Sequence, residues 1–332
     1  MKLITRALLA LFLFAAIVAA AVAWWLQRPL PLSTTPVEVS IEPGTAPRQV
    51  AAAWVDAGVQ TSPEALYWWF RLSGDARRIR AGSYALEQAE SPRALLDKMV
   101  RGDETLESVR LIEGWNWTQV RQALARSPQL RPVAQAMSEA QLAAALGLDG
   151  ASVEGRFFPD TYAYSRHVSD LTVLRRAHQA MQSHLASTWA ERAPGLPLRS
   201  ASELLTLASV VEKETGRPSD RPQVAAVFIN RLKIGMPLQS DPTVIYGLGE
   251  RFDGNLRRVD LQTDTPYNSY TRGGLPPTPI AMPGLASLRA VAHPADTRAL
   301  YFVARGDGSS AFSDNLDDHN RAVNQYQRLR KP

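Results

Sequence analysis

The sequence predicts a mixed α+β ectodomain behind a single apolar helix. Three observations carry this. Ala7 to Leu26 is a run of twenty residues without a charge. Short alternating strand candidates recur between capped helices, with no regular strand–helix repeat. The chain has 332 residues, 45% of them hydrophobic, which is ample for a core and for two domains after the apolar run.

Residues 7–26 are long enough to cross a bilayer as a helix. Lys2 and Arg6 precede them and Trp24, Trp25 and Arg28 close them, so residues 1–6 read as a cytoplasmic tail and the rest as facing the periplasm or the outside. A cleaved signal peptide is the alternative, because Ala19 to Ala23 holds small-residue cleavage patterns. Residues 27–36, rich in leucine and proline, read as a short tether.

A first module is expected over 37–103. Val37 to Ile41 alternates as a strand, Pro43-Gly44 turns, and Pro47 to Ala57 and Pro63 to Ser73 read as helices. Ala81 to Leu86 is a second strand, and Ser91 to Arg101 a capped helix. A connecting region follows at 104–150, with a strand at Glu107 to Ile112, a helix from near Thr118, and alanine- and leucine-rich helices to about Leu148. Trp115 and Trp117 there are read as core residues rather than a sugar-stacking platform. The last region, 151–330, opens with Glu154 to Tyr162 and continues through a long helix at Leu171 to Arg192 to a strand at Ala299 to Ala304.

Composition removes several chemistries. There is no cysteine, hence no disulfide or thiol catalysis. The five histidines are scattered without metal-ligand spacing, so no metal and no cofactor is expected. Nucleophile-elbow, Walker and dinucleotide-binding motifs are missing. The net charge of +5 suits an anionic polymer, but the charges are dispersed and no nucleic-acid recognition motif occurs, so no nucleic-acid partner is expected.

Chemistry is expected between Leu204 and Tyr246. Ser200 or Ser202 caps a helix whose apolar face runs through Leu204, Leu207, Ala208 and Val211. At about 100° per residue, Glu214 continues that face, and a carboxyl against apolar walls holds its proton toward neutral pH, as a general acid must. Glu212 lies roughly 200° round from it on a face that is also partly apolar, so it remains the alternative acid. A structural acid paired with Arg217 or Arg221 is the plainer reading of Glu214. Thr215 stands where its hydroxyl would meet the acid. Asp241 and Pro242 suit the start of a short helix that Gly247 or Gly249 ends. Gln239 and Tyr246 carry the amide and aromatic groups that a glycan cleft needs.

The segments ASVVEKET, RPQVAAVFINRLKIGMPLQSDPTVIYGLG, TPYNSYTRGGLPPTPIAMPG and ALYFVARGDG, with EGRFFPDTYAY before them and His319-Asn320 after, occur in this order. In this the chain resembles the YceG-like, or MltG-like, endolytic murein transglycosylases. The resemblance implies a LysM-like module at 37–103 and a mixed α+β, lysozyme-like catalytic domain at 151–330. It implies that Glu214 protonates the bond between N-acetylmuramic acid (MurNAc) and N-acetylglucosamine (GlcNAc), and that the sugar's C6 hydroxyl closes a 1,6-anhydro ring. Such a lyase would terminate nascent peptidoglycan strands beside membrane-bound synthases, the penicillin-binding proteins. Tyr267 and Asn268 enter as substrate contacts on the same ground. Asn230, Arg231, His319 and Asn320 match family positions, with their roles open between facing substrate and holding the fold. The competing class is a non-catalytic, membrane-anchored peptidoglycan-binding scaffold.

Overall fold

The computed structural model describes residues 2–148, 150 and 152–328. The chain divides into two compact units. The first holds the residues up to Glu107 with Pro128–Leu130 and Ala163–Val168; the second holds Ser108–Ser127, Arg131–Tyr162 and the chain from Ser169 onward.

In the first unit, α1 (Lys2–Gln27) precedes β1 (Val37–Ile41), α2 (Pro47–Ala57), α3 (Pro63–Leu72), β2 (Gly82–Leu86) and α4 (Pro92–Arg101). Within α1, Leu8–Gln27 is long and apolar enough to cross a membrane, judged by length and composition. β1 and β2 pair antiparallel, Val37 opposite Leu86 and Ile41 opposite Gly82. The period of two sends Val37, Val39 and Ile41 to one face, where they meet Trp54, Leu66, Phe70, Leu95 and Met99 in a core that excludes water. Ser62 and Ser91 cap α3 and α4 by accepting from Ala65 N and Ala94 N, and each helix starts on a proline.

Residues 27–36 differ from the free tether expected. Leu30 N donates to Glu90 O, Ser33 N to Gly58 O and Gln60 N to Pro31 O, each at 2.8–2.9 Å. Leu30 and Trp25 pack on the unit's core. Apolar side chains on both sides of the prolines give this segment something to bury, which a polar linker lacks.

β3 (Leu106–Arg110) pairs with β4 (Thr161–Ser165), and between them lie α5 (Trp117–Arg126) and α6 (Glu139–Leu146). The second unit continues with α7 (Asp170–Ala190), α8 (Ala201–Glu214), α9 (Arg221–Lys233), α10 (Asp241–Leu248), α11 (Arg258–Gln262) and α12 (Leu285–Ala292). It ends with β5 (Tyr301–Ala304), β6 (Ser310–Ser313) and α13 (Leu316–Val323). Its centre is α8, against which α7, α9, α10 and α12 pack. Leu204 to Val211 are all buried, so this helix is core on every side rather than amphipathic. Its internal polar groups are satisfied: Ser209 Oγ donates to Thr206 O at 2.7 Å and accepts from Ile280 N at 3.0 Å.

Candidate active site

α8 begins where Ser200 Oγ accepts from Glu203 N, and it ends at Glu214, with Thr215 as its last cap. The final turn therefore carries both glutamates out of the core, in different directions. Glu212, with a side chain only 7% exposed, accepts from Gly284 N at 3.0 Å and from Ser287 Oγ at 2.7 Å, and Arg221 lies 3.6 Å away. Gly284 is the N-cap of α12, so Glu212 places a negative charge where that helix has free N–H groups. The ion pair with Arg221 belongs to Glu212, not Glu214.

Glu214 is partly buried and opens onto a cavity of about 360 Å³ lined by Arg231, Gln239, Asp241, Tyr270, Tyr301 and His319, among others. Burial pushes its carboxyl up to about 7, the nearby Asp241 charge adds to this, and the Ser240 hydrogen bond and Arg231 oppose it. Ser240 Oγ donates to Glu214 Oε1 at 2.7 Å. Ser240 is fully buried and held in place, with its N donating to Ser269 Oγ at 2.9 Å and its carbonyl accepting from Thr243 Oγ1 at 2.7 Å. Gln239, just before it, has a left-handed backbone, φ 49°, which turns the chain into α10.

The opposite wall is built from Arg231, near the end of α9. Its guanidinium is buried, donating from Nε to Leu300 O at 2.7 Å and from Nη1 to Leu238 O at 2.5 Å, with Cζ 5.4 Å from the Tyr301 ring centre. His319 stacks on Tyr301 at 5.1 Å, and burial, then Arg231, lower its pKa, which favours the uncharged imidazole. Tyr270 Oη donates to Asp241 Oδ1 at 2.6 Å, and burial raises the phenol's pKa well above its usual value. Among the described residues no group of three or more His, Cys, Asp or Glu is arranged to hold a metal.

Of the residues expected from sequence, Glu214 and Gln239 meet here, and Tyr246, Tyr267 and Asn268 do not line this cavity. Tyr246 Oη donates to Glu154 Oε2 at 3.1 Å, and its ring meets Tyr267 edge-on at 4.7 Å. The Tyr267 hydroxyl bonds Thr278 Oγ1 at 2.8 Å. Asn268 is fully buried, its amide donating to the carbonyls of Asp260, Leu261 and Thr263 at 2.7–3.3 Å. These three side chains spend their polar groups on the scaffold. Thr215 Oγ1 donates to Val211 O at 2.7 Å rather than to Glu214, as a helix-end hydroxyl readily does. Ser240, not Asp241, is the N-cap of α10, which leaves Asp241 free to take the Tyr270 proton donor.

Sequence reasoning gave no role to Ser240 or Tyr301, and it read Tyr270 only as part of a sugar-binding segment from which Tyr267 and Asn268 were chosen as contacts. Tyr270 stands in the same quoted segment as Tyr267 and was reachable from it, and Arg231 and His319 were reachable through their family positions. Phe302 and Leu316 also line the cavity and carried no signal. Asn230 holds the fold, its amide donating to Thr297 O and Ala299 O.

The YceG-like family model matches residues 39–325. A Bacillus subtilis protein named endolytic murein transglycosylase is 30% identical over 311 residues, 89% of this chain and 86% of that protein. A Streptococcus pneumoniae protein of the same name is 33% identical over 181 residues, 52% of this chain and 32% of its own length. The crystal structure of a yceG-like protein from Listeria monocytogenes aligns with a TM-score of 0.56 at 28% identity, covering 86% of this chain and 98% of that one. With its fold, its Glu214 cavity and a match running from β1 to beyond α13, the chain belongs to the YceG-like family.

Proposed function

We propose that this chain is an endolytic peptidoglycan transglycosylase that cleaves the MurNAc–GlcNAc bond within nascent glycan strands. One observation carries the reading: Glu214, a carboxyl whose pKa burial pushes up to about 7, opens onto a cavity walled by aromatic and hydrogen-bonding groups. Glu214 gives its proton to the glycosidic oxygen as the bond to the anomeric carbon breaks. The C6 hydroxyl of the same sugar then attacks that carbon, and its proton returns to Glu214, leaving a 1,6-anhydro-MurNAc end and consuming no water. Closing the ring within one sugar supplies the effective concentration that a bound water would otherwise need. Asp241, with its carboxylate oriented by Tyr270, faces the positive charge that develops at the anomeric centre. Ser240 holds Glu214 in one rotamer, and Gln239 with Arg231 offers donors to sugar oxygens.

On this reading residues 151–330 form a lysozyme-like catalytic domain, 37–103 a LysM-like module and 104–150 their connection. Leu8–Gln27 anchors the chain in the inner membrane with the catalytic domain in the periplasm, beside the synthases whose strands it ends. The test is incubation of the full chain, in detergent, with purified sacculi and mass spectrometry of the products. Anhydro ends that vanish in Glu214→Gln support the reading. Reducing ends would make it a hydrolase, and binding without products a scaffold.

A further inference from the structure

A second concave surface lies in the same unit, at the other end of α9. Arg221 opens that helix, and its side chain is only 14% exposed. Its Nε is buried without a hydrogen-bond partner, and its nearest carboxylate among the described residues, Glu212, is at 3.6 Å, beyond hydrogen-bond range. A guanidinium taken out of water with its donors unfilled is costly, and such a group in a native fold calls for an acceptor.

Arg221 also lines a groove of about 430 Å³, together with Arg289 of α12, His293 at that helix's C-cap, and Thr188 and Glu191 at the end of α7. Arg289, in the last turn of α12, and His293, its C-cap, both line the groove and are exposed. Neither side chain has a hydrogen bond or ion pair among the described residues. Glu191 is the single acid against these three nitrogen donors, and it too is exposed. Thr188, only 4% exposed, adds a hydroxyl to the floor.

We propose that this groove is a second binding site, for carboxylate, and that its ligand is the free carboxylate of the short peptides borne by the glycan. The ligand's identity rests on the peptidoglycan reading; the site does not. Two guanidinium forks converging on one groove suit planar carboxylates, which each fork can grip by two parallel bonds. A carboxylate bound there adds a second negative partner for Arg221 while Glu212 keeps its bonds to Gly284 and Ser287. The spacing also fits. Arg221 and the cavity-lining Arg231 are ten residues apart on α9, about 15 Å. A peptide of four or five residues, extended at about 3.4 Å each, covers about that distance. A peptide on a sugar in the Glu214 cavity is thus as long as the rise of α9 from Arg231 to Arg221, and on this proposal binding in the groove selects strands that still carry their peptides.

The test is calorimetric titration of the full chain in detergent micelles with three probes: a tetrapeptide with its carboxylates free, the same peptide with every carboxylate amidated, and inorganic phosphate. The acid peptide binds the native chain, weakens at least tenfold in Arg289→Glu and in His293→Ala, and loses comparable affinity on amidation. Circular dichroism melts of both variants match the native chain, since both side chains are exposed. Equal binding of acid and amide, or unchanged affinity in Arg289→Glu, overturns the site. Phosphate binding more tightly than the acid peptide overturns the peptide as its ligand. No cleavage enters this assay, so its failure is separable from failure of the Glu214 test.

Discussion

Two glutamates two residues apart on α8 take opposite parts because the helix delivers them to different neighbours. Glu212 meets donors that stabilise its charge, whereas Glu214 meets one hydroxyl, an acid and apolar walls. Glu214→Gln is expected to lower anhydro-end formation at least ~100-fold, the usual scale for losing a general acid. In the native chain, kcat/KM falls as pH rises through about 7, where the donor loses its proton. Ser240→Ala removes a bond that favours the carboxylate, so the falling limb of that profile moves to higher pH, with a roughly tenfold loss from the freed rotamer. Stability follows the same sign. A carboxyl whose folded pKa of about 7 exceeds the ordinary 4.5 binds its proton more tightly when folded, so stability is greatest below pH 4.5 and is lost as pH rises through 7. Replacing Glu214 by Gln should thus gain up to ~3 kcal/mol at pH 8 and little at pH 4, read from urea midpoints at both pH values. Helical phase already favoured Glu214, because phase is a local property of the sequence. The partners that set the two environments apart, Ser240 and Ser287, come from other elements.

At the scale of elements, buried acids hold helix ends. Glu154 is 5% exposed, and its carboxyl accepts from Trp117 N at 3.0 Å, Gly155 N at 3.2 Å and the Tyr246 hydroxyl, joining the start of α5 to α10. Burial pushes it up to about 7 despite these donors. Gly155 beside it has φ 71°, and a Cβ there would stand 2.4 Å from Pro279, so the motif needs glycine. Glu154→Ala should cost about 2–3 kcal/mol by stranding two backbone N–H groups and the phenol. Glu212→Gln should cost about 1–3 kcal/mol through α12 and Arg221, and the folded variant should keep the pH profile of the native chain, which separates it from Glu214→Gln. The elements themselves were legible: α2 runs over the expected residues, and β1, β2, α4 and β5 lie within two residues of expectation. Caps and prolines are local signals, and they mark boundaries well. How Tyr270, Tyr301 and His319 come together in one cavity with Glu214 was not legible from pattern, because they meet only through turns that pattern does not encode, although the family segments held Tyr270 and His319.

For the whole molecule, sequence distance measures what pattern could not reach. The cavity joins residues more than a hundred positions apart, from Glu214 to His319, and only the family resemblance linked them beforehand. The apolar helix, by contrast, is a contiguous run that any window finds. Removing residues 2–26 should move the chain from the membrane pellet to the soluble fraction after ultracentrifugation, with sacculus cleavage per molecule retained in detergent-free buffer. The junction between that helix and the first unit sets a further property. Ten free residues would let a domain wander over about 17 Å. Here Leu30, Pro31 and Ser33 are bonded to the unit and Trp25 is wedged against its core, so there is no leash to pay out. The first unit is thus coupled to the end of its apolar helix, and whatever holds that helix holds the unit at a set distance from it.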